Sequence, residues 1–445
     1  MLWTDKATKY LNKYWNISNL KDKQIEVINE LLLGNDVIGL LPTGYGKSMC
    51  YIIPPLVTKK IIFIISPLIS LMDEQKEKLH SLNIPCSALH GNNSNKEQEI
   101  NEIMNNKIKI VYMSPEYLIK GDGLELARTL ISDNKLGFLA VDESHCISVW
   151  GQDFRPEYTN INKFRENFPD IPIIAVTATA TKTVCNDITK LLHLQNPVIV
   201  RTSFDRPNLT LNIKEIPTVS IIKNKKIKEQ PISKETVIID YIHKYNNDKI
   251  IIYTNSRKET EEIACELNKI KKDCCQAYHA GLSKKLRENI QKQFTNGEIK
   301  VIISTIAFGM GIDQIVKCVL IFGSPSSIEE YYQQIGRGGR DGLPCETVLY
   351  FDYSKFKIAQ FMLKELNKYP ALQKAKINNL DQVKNLVYLK TCRRRYILEY
   401  FNEKCAFINC NNCDNCQKPS EKILEKKSLD NFDDIINKYE KYLCV

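Results

Sequence analysis

Short, unbroken apolar runs recur along the first half of the chain: VIGLL (37–41), IIFII (61–65), IKIVYM (108–113), LGFLAV (136–141) and IPIIAV (171–176). Runs of this length and β-branched content predict strands buried on both faces, which is the condition of a parallel sheet. Longer mixed segments with helical spacing separate them. The pattern is therefore strand, helix, strand, and the predicted fold class is α/β with a doubly wound sheet. A second series follows at KIIIYT (249–254), IKVIIS (299–304), CVLIFG (318–323) and TVLYF (347–351). Between the two series, KNKKIK (223–228) and Pro231 predict an exposed loop or linker. From residue 353 the strand pattern gives way to a helical stretch that runs into closely spaced cysteines.

These readings predict a first lobe over 1–205, a second over 206–352 with a basic insertion at about 216–235, and a small helical module over 353–417. In the segment 418–445, Leu429, Phe432, Ile435, Ile436, Tyr439 and Leu443 have the spacing of one amphipathic helix. A length of 445 residues agrees with more than one domain. The net charge of +10 admits an anionic partner without requiring one. No apolar stretch approaches the roughly 20 residues that cross a bilayer. The start, MLWTDKATKY, lacks the apolar core of a signal peptide, so a soluble intracellular protein without a membrane partner is expected. Fifteen cysteines in such a chain point to reduced thiols and metal ligation rather than a disulfide scaffold.

The suggestive polar residues follow strands directly, where open α/β sheets bind their ligands. After VIGLL comes Thr43-Gly44-Tyr45-Gly46-Lys47-Ser48. Glycines let backbone N–H groups approach phosphate oxygens, a lysine reaches the outer phosphates, and a hydroxyl suits magnesium. Leu41 stands where the strict pattern has its first glycine. After LGFLAV comes Asp142-Glu143-Ser144-His145, an aspartate placed for the magnesium shell and a glutamate placed to orient or deprotonate water. In the second lobe, Gln333-Gln334-Ile335-Gly336-Arg337-Gly338-Gly339-Arg340 follows a predicted helix bearing Tyr331 and Tyr332. If that helix continues, Arg337 and Arg340 share one face, and either guanidinium suits charge developing on a phosphoryl group. Together these predict ATP hydrolysis with Mg2+.

The segments PTGYGKSMCY, SPLISLMDEQ, MSPEYL, DESHCISVWGQDFRPEY, AVTATAT, SFDRPN, YHAGLS, STIAFGMGID and YYQQIGRGGRDGLP stand in the order of one family. From about residue 10 to 417 the chain resembles the RecQ DNA helicases of superfamily two. The resemblance implies two RecA-like lobes, a zinc-binding module, and ATP-driven 3′ to 5′ translocation that unwinds duplex DNA in replication, recombination or repair. It implies adenine contact by Gln24, although Lys21 stands where an arginine is usual. It implies linkage of nucleotide to second lobe by Gly311 and Asp313, and arginine fingers at Arg337 and Arg340, with Arg340 on the γ-phosphate. Trp150, Phe154 and Arg155 match a loop that senses single-stranded DNA, with Gln152 in place of a usual histidine. Aromatic stacking and cation–π contact suit that role. The resemblance further implies a short form lacking the winged-helix and HRDC domains.

Cys410-x-x-Cys413-x-x-Cys416, with Cys392 upstream, supplies four thiolates for a closed tetrahedral zinc site. Cys405 is the rival fourth ligand. The family pattern favours Cys392, carried to the loop on a helix from Cys392 to Tyr400. Two other functions stay open on sequence grounds: an RNA helicase, and a DNA-binding or annealing ATPase switch that separates no strands. Protein partners are not indicated.

Overall fold

The computed structural model describes residues 3–417 except 92, 94, 152–153, 224–225, 309–313 and 365–369. The helix predicted within 418–445 lies outside the described residues, as do Gly311, Asp313 and Gln152. The chain forms two compact units. The first takes the described residues up to Asp205 together with Tyr400–Glu403; the second takes Arg206–Phe308, Gln314–Glu399 and the described residues from Lys404.

The first unit is built on seven parallel strands, β1 (Val37–Leu40), β2 (Ile61–Ile65), β3 (Cys86–Leu89), β4 (Ile110–Met113), β5 (Leu136–Val141), β6 (Ile173–Thr177) and β7 (Val198–Arg201). Their spatial order is β3-β4-β2-β5-β6-β1-β7. Alternation along β2 shows why an unbroken apolar run is needed. Ile61, Phe63 and Ile65 enter one core while Ile62 and Ile64 enter the other. The predicted runs fall on β1, β2, β4, β5 and β6, with starts displaced by up to two residues. The strands β3 and β7, outside the predicted series, close the two edges of the sheet. Edge strands need no continuous apolar run, and Ile199 in β7 is exposed.

The second unit carries β8 (Leu209–Lys214), β9 (Thr218–Lys223), β10 (Lys226–Pro231), β11 (Ile250–Thr254), β12 (Gln276–Tyr278), β13 (Val301–Ser304), β14 (Cys318–Gly323) and β15 (Cys345–Phe351). Six of them form a parallel sheet in the order β12-β13-β11-β14-β15-β8. Serine hydroxyls cap its helices: Ser233, Ser256, Ser283 and Ser327 each accept from the backbone N–H three residues on. Such a cap contributes about 1 kcal/mol.

Three local expectations change. The basic stretch predicted as a loop is an antiparallel ribbon of β9 and β10, paired from Lys223 with Lys226 to Thr218 with Pro231. The helix bearing Tyr331 and Tyr332 ends at Ile335, so Arg337 and Arg340 stand on a turn rather than one helical face. Glycines at 336, 338 and 339 explain the early stop, since they weaken a continuing helix and permit the turn. Third, the helix toward the cysteines spans Arg393–Tyr400, leaving Cys392 just ahead of it. Helices Tyr353–Lys364 and Pro370–Val387 precede it.

One buried charge pair organises the amino end of the first sheet. Asp36, immediately before β1, accepts from Arg165 at 2.5 Å, from the Ile173 N–H at 2.8 Å and from the Gln195 N–H at 2.6 Å. It thereby gathers the starts of β1 and β6 and the approach to β7. Both side chains are buried, so losing one partner strands the other's charge, at a cost of about 3–5 kcal/mol. Asp36→Ala is expected to lower the first unit's unfolding free energy by that order, read from the urea midpoint and slope of a fluorescence transition, with a zinc assay confirming that the second unit is intact.

Candidate active site and metal centre

The phosphate-type loop leaves β1 and enters the helix Met49–Thr58. Gly44 and Gly46 have φ of 83° and 91°, a region that costs residues with a Cβ about 1–2 kcal/mol. At Gly46 there is also no room, for a Cβ would lie 2.6 Å from the Gln24 amide nitrogen. That amide donates to the carbonyls of Tyr45 at 3.1 Å and Gly46 at 2.9 Å, while its oxygen accepts from the Lys21 N–H at 2.8 Å. Lys21 also lies over the Tyr45 ring, 4.5 Å from its centroid. Gln24 thus braces the loop as drawn. Among the described residues, the N–H groups of Gly44, Gly46, Lys47 and Ser48 donate to no backbone carbonyl. Four such donors at a helix start form a cradle that fits phosphate oxygens.

Facing the loop is the end of β5. Asp142 is buried, accepting from the Tyr51 hydroxyl at 3.1 Å and from the Glu143 N–H at 2.9 Å. Burial, then the Glu143 carboxylate, push Asp142 up to about 6, against the pull of Lys47. A magnesium ion held there with Ser48 would favour the charged form. Glu143 adopts the left-handed region at φ 46° and ψ 45°, a conformation a non-glycine keeps only when its surroundings impose it. The turn sets Glu143 Oε1 4.0 Å from Lys47 Nζ and Oε2 3.3 Å from His145 Nδ1. His145 is buried and reaches Thr177 Oγ1 at 2.8 Å, joining the ends of β5 and β6. This set can hold a triphosphate, a divalent cation and a polarised water.

The same corner holds the following loop. The Tyr158 hydroxyl donates to the Asp142 carbonyl at 3.1 Å, and the Arg155 N–H donates to the Cys146 carbonyl at 2.8 Å. The Arg155 guanidinium donates to the Pro67 carbonyl at 2.6 Å, at the end of β2. Trp150 is half-buried against the core, its backbone N–H donating to Ser148 Oγ at 3.1 Å, and Phe154 is half-buried. The loop is fastened at the acidic corner and has aromatic surface left open.

In the second unit, Gln333 lies in the last turn of the helix Ile328–Ile335, which delivers Arg337 and Arg340 onto their turn. Two residues of the SFDRPN segment brace it. Arg206 donates to the carbonyls of Gly338 at 3.0 Å and Gly339 at 2.8 Å, and Asn208 donates to Gly339 at 2.8 Å and Leu343 at 2.9 Å. Both guanidiniums act on Tyr253 of β11. Burial raises that phenol above its ordinary range, and Arg337, which donates to it, and Arg340 oppose the rise.

The sulfurs of Cys392, Cys410, Cys413 and Cys416 lie within 4.8 Å of one another. Cys405 is not in this group; its thiol donates to the Phe407 carbonyl at 3.3 Å. Hydrogen bonding from Cys413 holds Cys410 below the ordinary thiol range, and the same bond raises Cys413 to about 12. Zn–S bonds of about 2.3 Å put tetrahedral sulfurs about 3.8 Å apart, so four thiols this close fit a closed zinc site. The cluster is sewn to β8. Leu211 bridges Cys413, the Leu211 N–H donates to the Asn412 carbonyl at 3.1 Å, and Asn412 donates to the Leu209 carbonyl at 3.2 Å. Arg393 pairs with both Asp414 oxygens, at 2.5 and 2.9 Å.

Sequence reasoning named neither Tyr51 and Tyr158 at the acidic corner nor Arg206 and Asn208 at the arginine turn. The tyrosines carried no local signal, whereas DRPN stood out as a motif without a role.

Three family models match in succession: DEAD/DEAH box helicase over 21–188, helicase conserved C-terminal domain over 233–342, and RecQ zinc-binding over 353–417. A “putative ATP-dependent RNA helicase” of Acanthamoeba polyphaga mimivirus is 40% identical over 412 residues, 92% of this chain and 72% of that one. The “ATP-dependent DNA helicase RecQ” of Bacillus subtilis is 35% identical over 418 residues, 92% of this chain and 67% of that one. The protein of that name from Haemophilus influenzae is 37% identical over 419 residues, and the chain spans 64% of its length. Among solved structures, the DUF1998 helicase MrfA bound to DNA aligns over 92% of this chain and 60% of its own, with TM-score 0.63 and 18% identity, a likeness of fold.

Zinc analysis of purified protein by mass spectrometry is expected to give one ion per chain. Cys410→Ser or Cys416→Ser should lower that ratio and Cys405→Ser should leave it unchanged; the opposite order would make Cys405 a ligand.

Proposed function

The chain belongs to the RecQ family of ATP-dependent helicases, and from that membership we propose a DNA-stimulated ATPase that moves 3′ to 5′ along single-stranded DNA and unwinds duplexes in replication, recombination or repair. The observation that carries this reading is the shared corner at the end of β5. There Asp142 and Glu143 face Lys47, and the aromatic loop is fastened through Tyr158 and Cys146. A strand stacking on Trp150 and Phe154, with Arg155 on its backbone, displaces a loop whose anchors include the Asp142 carbonyl itself.

When bound, ATP supplies the phosphoryl group and Mg2+ neutralises its charge. Lys47 and the N–H groups of Gly44, Gly46 and Ser48 hold the phosphates, and Thr43 flanks them. Ser48 and Asp142 would hold the metal, and Glu143 would take the proton of the attacking water. His145 keeps Glu143 oriented. Gln24 releases its hold on the loop to meet adenine. Arg337 and Arg340, positioned by Arg206 and Asn208, would stabilise charge on the transferred group, and Gln333, in the helix before the turn, would assist. Gly311 and Asp313 carry the nucleotide state into the second lobe. Zinc on the four cysteines would be structural, since a closed thiolate site leaves no position for substrate. The protein acts inside the cell wherever DNA is handled.

A second reading, an RNA helicase, is favoured by the name of the mimivirus relative. Strand displacement decides between them. Labelled DNA duplexes with a 3′ tail should separate in the presence of ATP, 5′-tailed ones should not, and RNA duplexes should resist. Lys47→Ala and Glu143→Ala should abolish separation and turnover, each by removing a transition-state contact with no substitute. Binding and annealing without separation would identify an ATPase switch instead.

A further inference from the structure

The amino edge of the first sheet lies at the opposite ends of the strands from Lys47 and Glu143, and it carries a row of lysines that the active site does not use. Lys109 immediately precedes β4, Lys60 precedes β2 and Lys135 precedes β5, and these strands are neighbours in the order β4-β2-β5. Backbone bonds hold the row level: the Ile61 N–H donates to the Lys135 carbonyl at 2.8 Å, and the Ile62 N–H to the Lys109 carbonyl at 2.9 Å. Adjacent strands lie about 4.8 Å apart, so three cationic stems start side by side. Lys59, exposed, stands next to them.

Little negative charge answers this row. Lys59 donates to the Tyr10 hydroxyl at 2.5 Å, Lys60 to Asn134 Oδ1 at 2.6 Å, and Lys109 to Asn106 Oδ1, all neutral oxygens. Of the four, Lys135 meets a carboxylate, that of Asp133 at 2.7 Å. Burial, then the ammonium groups of Lys59 and Lys135, push Lys109 below the ordinary lysine range, as crowding of like charges does. The row is nonetheless built into the sheet. At Gly137 in β5 a Cβ would lie 2.7 Å from the Lys60 Cβ, so the glycine keeps open the space beside the Lys60 stem. Crowded cations repel one another in water, whereas beside a polyanion each displaces a condensed counterion.

Aromatic surface adjoins the row. On the helix Trp3–Trp15, Tyr10 and Tyr14 are half-buried and stacked, with centroids 6.1 Å apart and planes 2° from parallel. Lys59 lies 4.9 Å from the Tyr10 centroid, and Lys13 lies 4.8 Å from that of Tyr14. Lysines interleaved with ring faces suit a single nucleic-acid strand, whose phosphates meet the charges and whose bases stack on the rings. An acidic polypeptide would use the charges alone.

We propose that this amino-edge patch holds a second single strand of DNA, apart from the strand that engages the Trp150 loop at the carboxyl edge. The proposal rests on the DNA-helicase reading of the active site, since separating a duplex yields two strands and the loop engages one. Lysines present point charges without the forked geometry that distinguishes bases, so the contact grips backbone without sequence preference.

The test titrates full-length protein with a fluorescent fork bearing both a 3′ and a 5′ single-stranded tail, and with the same duplex bearing the 3′ tail alone, between about 50 and 200 mM KCl. ATPase stimulation by a short oligothymidylate is measured in parallel. Lys59→Gln, Lys60→Gln and Lys109→Gln together keep N–H donors for the local bonds while removing the charges. They should weaken binding of the two-tailed fork about tenfold at low salt and flatten the log–log salt slope by about 2, at roughly 0.7 for each phosphate contact on a single strand. Affinity for the 3′-tailed duplex and the oligonucleotide concentration giving half-maximal turnover should not change. The corresponding triple arginine variant should bind like wild type, separating loss of charge from local disruption. Tyr10→Leu should weaken fork binding with the salt slope unchanged. Unaltered fork affinity in the glutamine variant or in Tyr10→Leu would overturn the proposal. So would equal loss in the arginine variant, or equal loss on the 3′-tailed duplex. Tighter binding of a labelled polyglutamate peptide than of the fork, through the same lysines, would overturn it in favour of an acidic protein partner. If instead DNA fails to stimulate wild-type turnover, the helicase reading itself fails, a result distinct from any change in the variants.

Discussion

Lys47 and Glu143 face one another across the carboxyl edge of the first sheet, 4.0 Å apart. Neither residue could hold that position alone. Lys47 sits at a helix start reached through two positive-φ glycines, and Glu143 sits in a left-handed turn that its neighbours impose. Two polypeptide corners, one from β1 and one from β5, must be fixed to within fractions of an ångström for the pair to meet. The five central parallel strands provide that fixity by burying both faces and ending on one side.

From this constraint the rest of the first unit follows. Tyr51 and Tyr158 both grip Asp142, one through its carboxylate and the other through its carbonyl. His145 ties Glu143 to Thr177, so β6 enters the same network. Arg155 ties the aromatic loop to Pro67 at the end of β2. A displacement of that loop therefore has physical routes into the acidic pair, by hydrogen bonds rather than by proximity alone. In the second unit the same economy recurs: β8 supplies Leu209 and Leu211 to the cysteine module, and Arg206 and Asn208, just before it, hold the arginine turn. The chain entering the second sheet thus orders two features far apart in sequence.

Much of this was legible in the sequence, for identifiable reasons. Strands such as IIFII announce themselves because two cores demand apolar residues at successive positions. The phosphate loop and the DESH corner are local patterns, readable because their chemistry needs adjacent residues. The strand β8 was not legible, because its burial alternates and its partners are β15 and Cys413. The ribbon was hidden because a lysine-rich stretch reads as solvated loop, and the pairing of β9 with β10 has no signal in the sequence. Tyr51 meets Asp142 across 91 positions, and nothing in a single sequence signals such a meeting. Helical continuation through Arg337 and Arg340 failed for a local reason, since the intervening glycines favour a turn.

Under the proposed function, the Lys47–Glu143 site turns over when a DNA strand engages the loop fastened beside it. Steady-state ATP hydrolysis by the purified chain, measured without nucleic acid, with single-stranded DNA and with RNA of matched sequence, tests it most directly. A severalfold rise with DNA and a smaller one with RNA are expected, the DNA effect disappearing in Trp150→Ala. Equal rates with and without DNA would contradict it.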